Sequence, residues 1–247
     1  LACRLRGVKA DAAIVTEPTG GLGAFQATLG LFWFRVRVHG RSAHPHEAKS
    51  GVNAIEKMYT LIPALRRLEE EMNANRQHPL FRAVDHPINL VLGVIRGGDW
   101  PSTVAGECEL ECRLSFEPTM TLEEAYGLVR KALGEAAEAD PWLRSHPPEV
   151  DFFGVAAEPA VTEQSSPLIQ LMQTCHQRVS GEPLDLYAFT GSTDQRFFVN
   201  QSGMDAISYG PLGDNFHAAE ERVSVTSLRQ TAKALALFIL NWCGVAS

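Results

Sequence analysis

The chain is 247 residues long, 45% hydrophobic and 21% charged, with a formal charge of −7 spread along its length. That is an ordinary globular composition with room for one large domain or two small ones. Basic residues gather only in short pairs such as Arg66-Arg67, so no nucleic-acid partner is expected. The longest apolar stretch, Ala232 to Val245, is too short to span a bilayer and carries Lys233 and Asn241, so no membrane partner is expected.

Leu1-Ala2-Cys3 lacks targeting character, so the expected compartment is cytoplasmic. The chain starts at Leu1 rather than Met, which reads as an interior cut. Cys3, Cys108, Cys112, Cys175 and Cys243 are scattered with no CxxC pair. They read as small buried apolar residues in a reducing compartment.

In chain order, Val8 to Val15 is a buried strand running into the Pro/Gly turn Thr16-Glu17-Pro18-Thr19-Gly20-Gly21. Phe32 to Gly40 alternates from Phe34 on and predicts a half-buried strand, followed by a loop from Arg41 to Ser50. Ile55, Met58, Leu61, Ile62, Leu65 and Leu68 recur at helical spacing and predict a helix over Val52 to Met72. Ile88 to Ile95 and Glu107 to Phe116 are two further strands. The second sets Cys108, Leu110, Cys112, Leu114 and Phe116 against Glu107, Glu109, Glu111 and Arg113. Thr121-Leu122-Glu123-Glu124 has the pattern of a capping box and opens a helix to about Ala139. Val150 to Phe153 closes a β-α-β-β-α-β series, the split pattern of a ferredoxin-like sandwich.

Beyond it, Ser165 or Ser166 before Pro167 caps a helix to Val179. Leu184 to Phe189 and Ala206 to Pro211 read as strands, and Val225 to Trp242 as a long last helix. The fold class is therefore α/β with an inserted α+β domain. Segments 1–27 and 157–247 form two pieces of one α/β domain, and 28–156 is the insert.

Four places can carry chemistry. Glu17 stands at a strand end, where a carboxylate suits a metal ion; a solvated turn glutamate is the alternative. His217 lies in a Gly-rich loop just after a strand, a position for a neutral imidazole ligand; a surface histidine is the alternative. His44 follows Gly40-Arg41-Ser42-Ala43 and could donate to a developing oxyanion; a solvated loop histidine is the alternative, and Pro45 makes His44 and His46 diverge rather than chelate. Arg196, after Thr193 and Asp194, could grip a carboxylate in bidentate fashion, or could form an ordinary surface ion pair.

These places also occur in one order and spacing. Asp11 to Thr19, Gly40-Arg41-Ser42-Ala43-His44-Pro45 with Gly51 to Ile55, Gly97 to Val104, Gly191 to Arg196, and Gly210 to His217 with Glu221 make up the pattern. Together they resemble the zinc metallopeptidase and amidohydrolase family of acetylornithine deacetylase, succinyl-diaminopimelate desuccinylase and carboxypeptidase G. The likeness covers essentially the whole chain. It implies the C-terminal part of a zinc-hydrolase α/β catalytic domain carrying a ferredoxin-like lid and dimerisation domain.

By the same resemblance, Glu17 and His217 each bind one of two zinc ions, with cobalt or manganese as substitutes. His44 steadies the oxyanion, in the partner subunit's site. Arg196, with Asp194 and Thr193, holds the substrate. The implied substrate is an N-acyl amino acid or similar small amide, and the implied partner is a second copy of the chain.

Two departures stand out. Thr103-Val104-Ala105 replaces an Asn-containing lid loop found in many members. The family's His-x-Asp motif, its bridging Asp and its Glu-Glu pair with the general base are not among these residues. A zinc site needs three or more protein ligands, so a chain of these residues alone is expected to hold no zinc pair and to be inactive. The other readings are a non-catalytic dimerisation or ligand-binding module, and a catalytically dead homologue.

Overall fold

The computed structural model describes residues 6–7, 9–20 and 23–245. The start at Leu1-Ala2-Cys3, the first residue of the expected strand at Val8, and Gly21 of the expected turn lie outside the described residues. The chain opens with β1 (Ala12–Val15), β2 (Gly23–Thr28), β3 (Gly30–His39) and a short 3-10 helix (Pro45–Ser50). α1 (Ala54–Ala74) leads through one helical turn (Pro79–Arg82) to β4 (Leu90–Gly97) and β5 (Glu107–Phe116). α2 (Leu122–Glu138), a second short turn (Pro141–Ser145) and β6 (Glu149–Ala157) follow. Then come β7 (Ala160–Val161), α3 (Pro167–Ser180), β8 (Asp185–Phe189), α4 (Gln195–Ser202) and β9 (Asp205–Tyr209). The short strands β10 (Gly213–Asp214) and β11 (Arg222–Val223) precede α5 (Val225–Cys243).

These elements form two compact units, one of residues 1–29 with 159–247 and one of residues 30–158. The contiguous unit is a four-stranded antiparallel sheet in the order β4-β5-β3-β6. With its two crossing helices this is the ferredoxin-like arrangement. Period-two alternation sets its faces. Phe32, Phe34, Val36 and Val38 of β3 and Cys108, Leu110, Cys112 and Leu114 of β5 point into one core with Met58, Leu61 and Leu65 of α1 and Val129 and Leu133 of α2. Phe32 lies between Phe34, Phe116, Tyr126 and Phe152, with ring centroids 4.9–6.0 Å away.

The opposite face carries a lattice of charge. Arg35 meets Glu111 at 2.8 Å and Glu109 at 3.3 Å, while Arg37 meets Glu109 at 2.9 Å and Glu149 at 3.2 Å. The helices start where the sequence offers acceptors for orphan amides. The Asn53 side chain accepts from the N–H of Ile55 at 3.0 Å, and Thr121 with Glu124 closes a full capping box. Burial pushes the Cys112 thiol up to about 12, which keeps it an inert core residue.

The other unit holds a mixed sheet. β1 pairs parallel with β9, β9 pairs antiparallel with β2, and β2 pairs parallel with β8 and antiparallel with β7. Leu168, Ile169, Met172 and Cys175 of α3 and Ala234 and Phe238 of α5 pack with Ala24, Ile207 and Tyr209 of the sheet. β2 was not anticipated from the sequence. Its residues, Gly-Ala-Phe-Gln-Ala-Thr, have little β-propensity, and the strand exists because it is sandwiched between β8 on one side and β9 and β7 on the other. The segment after Asp194 opens α4, and the loop after Arg41 contains the 3-10 helix.

Candidate active site

β1 and β9 run parallel, with Val15 opposite Ser208, so both end at one edge of the sheet. Open α/β sheets place ligand groups at such strand ends. Glu17 comes two residues after β1, and the loop bearing His217 leaves β9 at Gly210. Thr19 ties the two ends together. Its buried hydroxyl accepts from the N–H of Gly210 at 3.0 Å and lies within reach of the carbonyls of Gly23 (2.7 Å) and Gly210 (3.1 Å). Gly210 lies so close to the Glu17 carbonyl that a Cβ there would overlap it. A glycine is required by this approach.

The His217 loop is held at its base. β10 and β11 form a two-residue antiparallel ladder, and Arg222 Nε donates to Asp214 Oδ1 at 2.7 Å. Ser227 Oγ accepts from the N–H of Leu212 at 2.8 Å. At the tip, Asn215 (φ 56°) and His217 (φ 63°) adopt left-handed backbone. That conformation is uncommon outside glycine, and non-glycine outliers of this kind gather at functional sites.

Glu17, His217 and Glu221 line one cavity of about 730 Å³ together with Thr193 and a set of aromatic residues. The side chains of Glu17, His217 and Glu221 are exposed and make no hydrogen bond or ion pair with another described residue. A free carboxylate and a free imidazole are the donor types that zinc takes, so the chemistry of this set fits a metal ion. Among the described residues, no group of three or more His, Cys, Asp or Glu is placed to hold one; Glu17 and His217 would be a partial ligand set.

The Gly191–Arg196 stretch is arranged otherwise than its sequence suggests. Thr193 is buried beneath the cavity and shares a hydrogen bond with Ser208 Oγ at 3.0 Å. Gln195, fully buried, donates to the Gln26 carbonyl at 3.2 Å and accepts from Ser208 Oγ at 3.3 Å. It anchors the start of α4 to β2, a role that sequence reasoning missed. Asp194 is exposed and, like Arg196, is not among the cavity-lining residues. The Arg196 guanidinium is 3.3 Å from both Ser192 Oγ and the Thr193 carbonyl and stacks over Phe197 at 4.2 Å.

His44 belongs to the 30–158 unit. It caps the 3-10 helix, its Nδ1 accepting from the N–H of His46 at 3.2 Å, and it is exposed. Its loop is stitched to the Gly97–Gly106 loop: Val104 N–H donates to the Ala43 carbonyl at 2.9 Å and Gly40 N–H to that of Gly106 at 2.8 Å. The sandwich therefore presents His44 and Thr103 from two loops that it holds together.

Residues 26–141, a little under half of the chain, match the M20 peptidase dimerisation domain. Among relatives, an N-formyl-4-amino-5-aminomethyl-2-methylpyrimidine deformylase of Halalkalibacterium halodurans is 28% identical over 98% of this chain and 60% of its own length. The acetylornithine deacetylase of Shigella sonnei is 34% identical over 57% of this chain and 37% of its own. Among solved structures, aminopeptidase PepT from Bacillus cereus superposes with a TM-score of 0.72 at 16% identity, covering 96% of this chain and 58% of that one. The chain thus spans about 60% of the length of the deformylase it matches.

Proposed function

We propose that the protein to which these residues belong hydrolyses the amide bond of an N-acyl amino acid or similar small amide with the support of bound metal. The observation that carries this reading is the meeting of Glu17 and His217 on one cavity, from two strand ends clasped by Thr19. In the reaction, water adds to the acyl carbon, the C–N bond breaks, and the amine leaves with a proton as the acyl group becomes a carboxylate. A bound zinc pair would supply a water acidified toward neutral pH and a positive charge beside the acyl oxygen.

The part of this chain is to hold and orient. Glu17 contributes an anionic oxygen ligand and His217 a neutral nitrogen, each on a rigid support. His44 would donate to the developing oxyanion from the partner subunit, as the family resemblance implies. Relatives whose names specify a formyl group on an aminopyrimidine and an acetyl group on ornithine support small amides as substrates. The dimerisation-domain match supports a homodimer built through the 30–158 unit. We place the protein in the cytoplasm on the strength of its buried cysteines Cys108, Cys112 and Cys175, which are free thiols; separately, no helix among the described residues is long and apolar enough to cross a membrane.

One observation favours a second reading, a non-catalytic dimerising or ligand-binding role: no set of three metal-ligating groups assembles among the described residues. Metal analysis with amide-hydrolysis assays on the natively expressed protein separates the two. Hydrolase function predicts bound metal and turnover. It also predicts that Glu17→Ala and His217→Ala each cut activity by more than the ~10–100-fold lost when a group that only orients a ligand is removed. A metal-free, inactive native protein would leave the binding role. Residues 1–247 prepared alone are expected to retain no zinc pair.

A further inference from the structure

Among the described residues, every hydrogen bond between two buried side chains is made by Ser208 or Tyr209, the last two residues of β9. Successive strand residues point to opposite faces of a sheet, so the two are gripped from opposite sides. On one face, Ser208 Oγ donates to Gln195 Oε1 at 3.3 Å and shares a 3.0 Å hydrogen bond with Thr193 Oγ1. With the Ser208 proton committed to Gln195, Thr193 is the donor in that bond. Gln195 Nε2 carries the chain on to the Gln26 carbonyl of β2 at 3.2 Å. On the other face, the Tyr209 phenol meets His176 Nδ1 of α3 at 2.9 Å. The next residue, Gly210, is tied to Thr19 at 3.0 Å. All of these side chains are buried by the described residues themselves, so the contacts do not depend on what else covers the unit.

The surrounding core, with Leu168, Ile169, Met172, Ile207 and Phe238, is apolar. Apolar groups of matching shape in place of both partners would leave such a core about as stable. Satisfied polar pairs instead fix one arrangement. His176 Nε2 is even left without a partner among the described residues, a cost that an apolar core would not carry. The polar pairs are confined to the point where the loop bearing His217 leaves the sheet. The His217 side chain has no bond of its own to another described residue, so its place relative to Glu17 is inherited from the backbone there.

We infer that Ser208 and the His176–Tyr209 pair are positioning residues for the metal site, holding the end of β9 so that His217 meets Glu17 in one fixed geometry. They act through the backbone at Gly210 and touch neither metal nor substrate. This deepens the amide-hydrolase reading and rests on it for the metal.

The test is cobalt(II) titration of the metal-free, natively expressed protein, read by visible absorption, which reports how the ligands are arranged and needs no turnover. Ser208→Ala and Tyr209→Phe each remove one grip. Thr193→Val, which keeps its shape, tests the Ser208 side again should Ser208→Ala not fold. Phe238→Leu is the control, since it weakens the same core without removing a hydrogen bond at the end of β9. Melting temperatures are taken for all.

The expected result is a cobalt affinity about 10-fold lower, with an altered absorption band, in the variants that lose a grip. Phe238→Leu should melt earlier yet bind cobalt as wild type does. Wild-type affinity and absorption in the grip variants, or an equal change in Phe238→Leu, would show that the pairs serve stability alone and would overturn the inference. A wild-type protein that takes up no cobalt would sink the metal reading itself, and the positioning role with it.

Discussion

His176 and Tyr209 meet inside the α/β unit, where Nδ1 of the imidazole and the phenol oxygen share a hydrogen bond at 2.9 Å. Both residues are about 2% exposed, and His176 Nε2 is buried without a hydrogen-bond partner among the described residues. Burial lowers the His176 pKa from its ordinary value, against a smaller opposing pull from Asp185; burial also pushes the Tyr209 phenol up to about 12. The unfolded chain therefore takes up the imidazole proton before the folded chain does. The stability this group contributes is fully present above the unfolded value and is lost as pH falls through the folded one. Urea titrations from about pH 7 to about pH 5 should show stability declining in wild type. The decline should be shallower in the double variant His176→Phe with Tyr209→Phe, which removes the titration without leaving a lone hydroxyl. Equal slopes would mean that other groups govern the acid limb.

At the scale of elements, the clasp between the end of β1 and the loop after β9 fixes the geometry of the candidate site. Gly210→Ala would force its Cβ into the Glu17 carbonyl. This is a clash of backbone with backbone that no rotamer change relieves. The expected outcome is a lower melting temperature and weaker metal retention in the native protein. Thr19→Val, which keeps the shape and removes the hydroxyl, should cost about 1–2 kcal/mol of stability. Chemical denaturation with metal titration checks both, and a Gly210→Ala protein with unchanged metal affinity would count against the clasp as a site determinant.

The same elements show what could be read beforehand. β5 matched its expected bounds because alternation from Cys108 to Phe116 is strict, and α2 because Thr121 and Glu124 mark its start. β2 was illegible because its signal comes from three neighbouring strands rather than from its own six residues. Glu17 and His217 stood out through motif order, and nothing local set them apart. Gln195 stayed hidden because its role depends on a contact with Gln26 across the sheet, 169 residues away in sequence. Arg196 drew attention as a cation after a turn, yet its charge is spent on Ser192, Thr193 and a neighbouring ring.

At the scale of the molecule, each unit has its own core, and in each the two chain ends that bound the insertion lie side by side. Leu31 pairs with Ala157 in the sandwich, and Thr28 pairs with Ala160 in the α/β unit. An insertion with adjacent ends and a complete core has what independent folding requires. Residues 30–158 expressed alone should unfold in a single cooperative transition and sediment as a concentration-dependent dimer. A fragment with no thermal transition would show that the sandwich depends on its host, and a strictly monomeric one would move the dimer contacts elsewhere.

The paired strand ends also order events in time. The sandwich is complete once residue 158 has left the ribosome, whereas β1 must wait for β9, roughly two hundred residues further along, before it has a parallel neighbour. Glu17 and His217 are thus brought together only by a late long-range closure. During synthesis the 30–158 unit can therefore form before the sheet edge that carries Glu17 and His217.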